Sequence, residues 1–248
     1  MFTSAYRERV REHILRVARE DQRILGGAVV GSDAVGGSDR WSDLDLTFGL
    51  TDGSPATQIL DDWAADLDRT FGAVRLFDLR DRETSYRVFL LPGLLQVDLS
   101  VTPGFVADNG PRFKLLFGTA TRKQHSPPRP PRDALGCGIH HAVRARFCIE
   151  RGRLWQAEYW IGGVRDEALS LACLRRGLPP DHGRGVDRLP PEVLTAAAAA
   201  MVHGVDRSNL LRALGHAVEL LLSEGTQVPD LTNRLAGPLH ELTRDIGP

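Results

Sequence analysis

Lysine is almost missing from this chain. Lys114 and Lys123 are the only two among 31 basic residues, and 32 acidic residues leave a formal net charge of -1. Binding along a phosphate backbone usually needs a basic surface, so the balance argues against a nucleic-acid substrate. Cysteine is scarce as well: Cys137, Cys148 and Cys173 are odd in number and share no metal-ligand spacing. That excludes a disulfide framework and a zinc cluster, and leaves three reduced packing residues. No apolar run approaches the length of a membrane span, and the opening MFTSAYRERV has no apolar signal region. A cytoplasmic protein with no membrane partner is expected.

What is present is ordinary in amount and informative in order. Apolar residues make up 42% and charged residues 25% of 248 positions, enough for one or two globular domains. Residues 5–24 carry Val10, Ile14, Val17 and Ala18 at helical spacing among charges, which predicts an amphipathic helix with His13 on its solvated side. Residues 119–134, TATRKQHSPPRPPRDA, are rich in proline and basic residues and read as a stiff linker that includes His125. Strand-like runs precede it and helical patterns follow it. The expected organisation is therefore an α/β (α+β) domain with a mixed sheet over residues 1–120, a linker over 121–132, and an all-α helical-bundle domain over 133–248.

The chain is organised around residues 25–46, LGGAVVGSDAVGGSDRWSDLDL. A short apolar run ends at Gly31-Ser32, a glycine-rich loop follows, and a second strand begins near Asp43. Alternate strand residues share a face, so Asp43 and Asp45 point one way while Leu44 and Leu46 point the other. Two neighbouring carboxylates repel unless a cation lies between them, and an all-oxygen pair suits Mg²⁺. A calcium loop of the EF-hand type would need more oxygen ligands and a closing Glu, whereas Leu46, Thr47 and Phe48 continue a strand. The Gly-Ser turn offers backbone N–H groups and a hydroxyl to phosphates.

Taken together, Gly31-Ser32, Ala34, Gly36, Ser42-Asp43 and Asp45 resemble the signature of the DNA polymerase β-like nucleotidyltransferases. The match is closest to bacterial enzymes that adenylylate aminoglycoside and lincosamide antibiotics. The resemblance implies ATP as co-substrate, two Mg²⁺ ions, Gly31, Ser32 and Ser42 at the nucleotide, and a third metal-binding aspartate on a nearby strand.

Three strand-like runs follow a helix predicted to start at Ser54-Pro55. They span residues 73–79, 86–91 and 94–101, the last two joined by Pro92-Gly93 as an antiparallel hairpin. In the third run Leu95, Val97, Leu99 and Val101 share one face, and Gln96, Asp98 and Ser100 the other. Asp98 is the position that fits the third aspartate. The acids Asp61, Asp62, Asp66 and Asp68 of the preceding helix read as its wet face, or as a surface for a cationic substrate.

The second half is helical. His140 and His141 read as ordinary packing or surface residues of a helix over 133–150. The helix over 153–176 places Leu154, Glu158, Ile161, Arg165, Ala168 and Ala172 on one stripe, so two charges interrupt an apolar face. They stand about 10 Å apart, too far for a relaxed direct ion pair. A face looking across a cleft at the metal site would give them partners; Glu158 is the candidate general base and Arg165 a phosphate or acceptor ligand. Asp98 is the competing base. Trp155, Tyr159 and Trp160 lie in the same segment and read individually as inter-helix packing, with stacking on an adenine or a sugar as the alternative. The expected activity is transfer of AMP to a hydroxyl of a small molecule, an antibiotic among the candidates. A protein-modifying AMP transferase of antitoxin type and a non-catalytic nucleotide-binding module are the alternatives.

Overall fold

The computed structural model describes residues 1–108, 112–123 and 129–244. It divides into two compact units, Met1–Ser126 and Pro127–Pro248. The first is an α/β unit: α1 (Ser4–Glu20), β1 (Ile24–Val30), β2 (Leu44–Leu50), α2 (Ala56–Phe71), β3 (Val74–Asp81), β4 (Thr84–Leu91), β5 (Leu95–Pro103), β6 (Val106–Asp108), β7 (Phe113–Gly118) and β8 (Thr121–Lys123). Six strands form a mixed sheet in the order β3-β4-β5-β2-β1-β7, in which β2 and β5 are parallel and the other pairs antiparallel. β6 and β8 make a separate short parallel ladder.

The alternation read from the sequence decides which face is buried. Leu44, Leu46, Phe48 and Leu50 of β2 join Leu95, Val97, Leu99 and Val101 of β5 in one core with Val10 and Ile14 of α1 and Ile59, Leu60, Trp63 and Leu67 of α2. Both helices therefore cover one face of the sheet. The aspartates of β2 and β5 are left on the other.

A buried cation on the helix-covered face was not legible in the sequence. Arg87 of β4 is 1% exposed and donates to both oxygens of Asp78, each at 2.8 Å, and to Asp61 Oδ1 at 2.7 Å. It ties β4, β3 and α2 together, and loss of either carboxylate would leave its charge short of a partner. Asp62 likewise pairs with Arg23, and Asp66 with Arg69 and His13. His13 is thus not a solvated position: its ring packs edge-on against Phe71 and bonds Asp66. The α2 acids lie away from the aspartate face, and three of the four are held by protein cations. These acids do not form a surface for a cationic substrate beside the aspartate cluster.

The second unit contains α3 (Pro131–Glu150), α4 (Leu154–Arg175), α5 (Pro191–Ala199), α6 (Arg207–Glu224) and α7 (Pro229–Thr243). Its core is alanine- and leucine-rich, with Ala142, Ala145, Ala168, Leu214 and Leu221 fully buried. Asp206 caps α6, accepting from the Asn209 N–H at 3.0 Å. Cys148 and Cys173 are buried free thiols, and Cys137 is half-buried and free.

The proline-rich stretch is more ordered than expected at both ends. β8 occupies residues 121–123, and α3 already begins at Pro131, where a missing N–H costs the first helical turn nothing. Residues 124–128, His125 among them, lie outside the described residues. Among the described residues no helix is long and apolar enough to cross a membrane.

Candidate metal and phosphate site

Parallel pairing of β2 with β5 sets Asp45 directly beside Asp98. Asp43, one residue before β2, completes the group, and the three half-buried carboxylates offer oxygens within 4.8 Å of one another. Gln96 donates to both Asp98 oxygens, at 3.0 and 3.3 Å. Burial pushes the Asp98 carboxyl above its ordinary range, the Gln96 hydrogen bond opposes this, and the Asp43 carboxylate reinforces it. Three hard oxygen donors at this spacing fit a divalent cation such as Mg²⁺, which would reverse the electrostatic penalty.

The crowding has a testable consequence in metal-free protein. A carboxyl whose folded pKa is raised holds its proton more tightly when folded than when unfolded. Stability is therefore lost as pH rises from the ordinary aspartate value of about 3.9 through the raised folded value. At pH 7 without Mg²⁺, Asp98→Asn should melt a few degrees above the wild type, the scale on which about 1 kcal/mol acts in a protein of this length. The gap should close below pH 4, and Mg²⁺ should stabilise the wild type more than the variant. An unchanged or lower melting temperature for the variant at pH 7 would refute the crowding.

The turn after β1 adjoins this cluster. Gly31 has φ +75°, and a β-carbon there would fall on the Asp45 carboxylate, so glycine is required by both conformation and space. Its own N–H is not open to phosphate, because it donates to the Arg112 carbonyl at 3.1 Å. The 3-10 turn Asp33–Val35 follows, with the N–H groups of Val35 and Gly37 on the Ser32 carbonyl. Among the described residues the N–H groups of Ser32, Asp33 and Ala34 have no backbone acceptor. These, with the Ser32 hydroxyl, are the donors an anion would meet.

Ser42 braces the loop ahead of Asp43. Its hydroxyl accepts from the Asp39 N–H at 2.9 Å and donates to Asp39 Oδ1 at 3.1 Å, closing the loop that delivers Asp43. Arg7 of α1, not singled out by the sequence, clamps the same loop by donating to the carbonyls of Asp39 and Ser42 at 2.7 and 3.0 Å. Gly31, Ser32, Asp43, Asp45 and Asp98 are thus brought together, with Ser42 as a loop brace.

Glu158 and Arg165 belong to α4 of the helical unit. Glu158 is half-buried and has no hydrogen-bond or ion-pair partner among the described residues, while Arg165 reaches the neighbouring Asp166 at 3.1 Å. The aromatic residues divide. Trp160 packs on His140 and His141 under Arg144, but Trp155 and Tyr159 are 76% and 68% exposed. Inter-helix packing is therefore the wrong reading for those two.

No family model and no curated protein match the chain. Several solved structures are similar, among them the following two. An aminoglycoside 6-adenyltransferase from Bacillus subtilis aligns over 94% of this chain and 96% of its own, at 11% identity and a TM-score of 0.40. The CD-NTase CdnG from Bradyrhizobium diazoefficiens, solved in complex with GTP, aligns over 96% and 90% at 14% identity and a TM-score of 0.24. With both scores this low, function is read from the site geometry instead.

Proposed function

We propose that the chain is a nucleotidyltransferase that moves AMP from ATP to a hydroxyl of a small molecule. The observation that carries this is the convergence of Asp43, Asp45 and Asp98 beside the Gly31-Ser32 turn: a hard-cation seat adjoining a cradle of phosphate donors. Asp43 and Asp45 would hold two Mg²⁺ ions, with Asp98 on the one nearer the nucleophile. Bound Mg²⁺ supplies charge neutralisation at the reacting phosphate and draws attacking and leaving oxygens into line. Ser32 and the N–H groups of Asp33 and Ala34 would bind the β- and γ-phosphates. Gly31 contributes by having no side chain to displace Asp45.

In the transfer, the acceptor oxygen bonds to the α-phosphorus, the bond to the bridging oxygen breaks, and pyrophosphate leaves. The hydroxyl proton passes to a carboxylate, for which Glu158 is the proposed base, and Arg165 would serve phosphate or acceptor. The choice of ATP rests on the family resemblance, as does an antibiotic as one candidate acceptor.

The test incubates the protein with α-labelled ATP, Mg²⁺ and a panel of hydroxyl-bearing small molecules, then with cell extract. Magnesium-dependent label on a small molecule supports the reading. Label confined to a protein would favour the protein-modifying alternative, and nucleotide binding without any transfer a non-catalytic module.

A further inference from the structure

β3 is the edge of the six-stranded sheet, and all eight of its residues are exposed. Burial therefore does not dictate which of its residues are apolar, yet its two faces differ sharply. Arg75, Asp78 and Arg80 pair with Phe89, Arg87 and Ser85 and share the helix-covered side. Val74, Phe77 and Leu79 pair with Leu90, Val88 and Tyr86 on the aspartate side. On that side Asp81, at the hairpin end, is the sole charged residue of β3. Val74, Phe77 and Leu79 are 60%, 48% and 58% exposed. An apolar edge strand is an aggregation hazard that natural proteins usually blunt, so its retention asks for a reason.

The register supplies one. Asp45, Asp98, Val88 and Phe77 form one row across β2, β5, β4 and β3, and Ser100, Tyr86 and Leu79 form part of the next. Apolar residues thus line the way from the aspartate cluster to the sheet edge, with Val88 buried, Tyr86 and Leu90 half-buried and Phe77 exposed, and Phe77 stands two strand spacings, about 10 Å, from Asp98. If phosphates bind at the Gly31-Ser32 turn, pyrophosphate leaves on the β1 side of Asp45. In-line displacement then brings the attacking hydroxyl from the opposite side, over β5 and β4.

We infer that Val74, Phe77, Leu79, Tyr86 and Leu90, laid over the buried Val88, form the acceptor platform, and that the acceptor is a hydroxyl compound with an apolar ring or chain rather than a polycationic amino sugar. This rests on the nucleotidyltransferase reading above. Beyond Asp45 and Asp98, which the metal site uses, the platform's rows carry no carboxylate to neutralise several ammonium groups, and Asp81 lies one row further, at the hairpin end. The α2 acids that might have done so lie on the other face, and three of the four are paired with His13 or arginines.

The test uses the full chain with Mg²⁺ and a non-hydrolysable ATP analogue. Two probes of similar size are titrated calorimetrically: phenyl β-D-glucoside, neutral with an apolar ring, and 2-deoxystreptamine, a dicationic aminocyclitol. The glucoside should bind better, and Phe77→Ala/Leu79→Ala should weaken it by about tenfold or more, as expected for losing burial of large apolar side chains. Affinity for the nucleotide analogue should not change. The milder Leu79→Gln gives the same comparison should the double variant not fold. Tighter binding of the aminocyclitol, no glucoside binding by the wild type, or no effect of the variants overturns the platform while leaving nucleotide binding intact. A dimer that the variants dissociate also overturns it, since β3 would then be a contact between copies. Failure of the wild type to bind the analogue with Mg²⁺ sinks the underlying reading instead.

Discussion

Asp43→Asn and Asp45→Asn are each expected to remain folded and to lose nucleotidyl transfer. The amide preserves the shape of the side chain but removes the charge that balances a divalent cation. Removing an outer-shell partner of a metal ligand already costs about 10–100-fold in affinity, so loss of a direct ligand should cost at least the upper end of that range. Mg²⁺ titrations followed by calorimetry should show this before any acceptor is known. Both side chains are half-buried at the mouth of a strand rather than packed in the core, so circular dichroism should change little. Near-wild-type Mg²⁺ affinity in either variant would remove the metal assignment, and with it the phosphate chemistry built upon it.

Glu158→Gln should slow the chemical step by about 10²–10⁴-fold, the usual contribution of a general base, with ATP and Mg²⁺ binding preserved. Asp98 is a poorer base when it is also a metal ligand, because coordination lowers its affinity for a proton. Glu158 sits half-buried on α4 without a hydrogen-bond or ion-pair partner among the described residues. Single-turnover rates across pH give a sharper reading than a rate at one pH. The wild type should lose activity as the base protonates on the acid side, and that limb should disappear from the residual activity of the variant. A mild effect, or an unchanged acid limb, assigns proton removal to Asp98 and leaves Glu158 a surface residue of α4.

The aspartate cluster was legible because strand periodicity is a local property. The alternation from Leu95 to Val101 orients Asp98 without knowledge of any neighbour, and the Pro92-Gly93 turn gives the β4–β5 hairpin. Pairing of β2 with β5 is not local, and only the family resemblance called for it. The missed elements share a cause: their patterns are overridden by context. β7, FKLLFG, is a partly exposed edge strand with an irregular register against β1, so no clean alternation marks it. α7 carries Pro238 in its interior, which reads as a break. Arg87 looks like a solvent residue of a strand until Asp61 and Asp78 close on it from two other elements. Nor does composition reveal that the Gly31 N–H is already spent on Arg112.

The parallel pairing of β2 with β5 also governs when the site comes into being. In sequence α2, β3 and β4 separate the strands that carry Asp45 and Asp98, so the two can meet only after all three have been made. Contacts of such long sequence separation form late, because loop closure must precede the gain from pairing. A nascent chain that ends before β5 holds two carboxylates but no three-ligand seat, and has little to offer Mg²⁺. Once the sheet closes, an ion held by the three aspartates would bind the native state and not the unfolded one, and mass action would draw the folding equilibrium forward. Magnesium supply would then set the lifetime of this protein as well as its turnover.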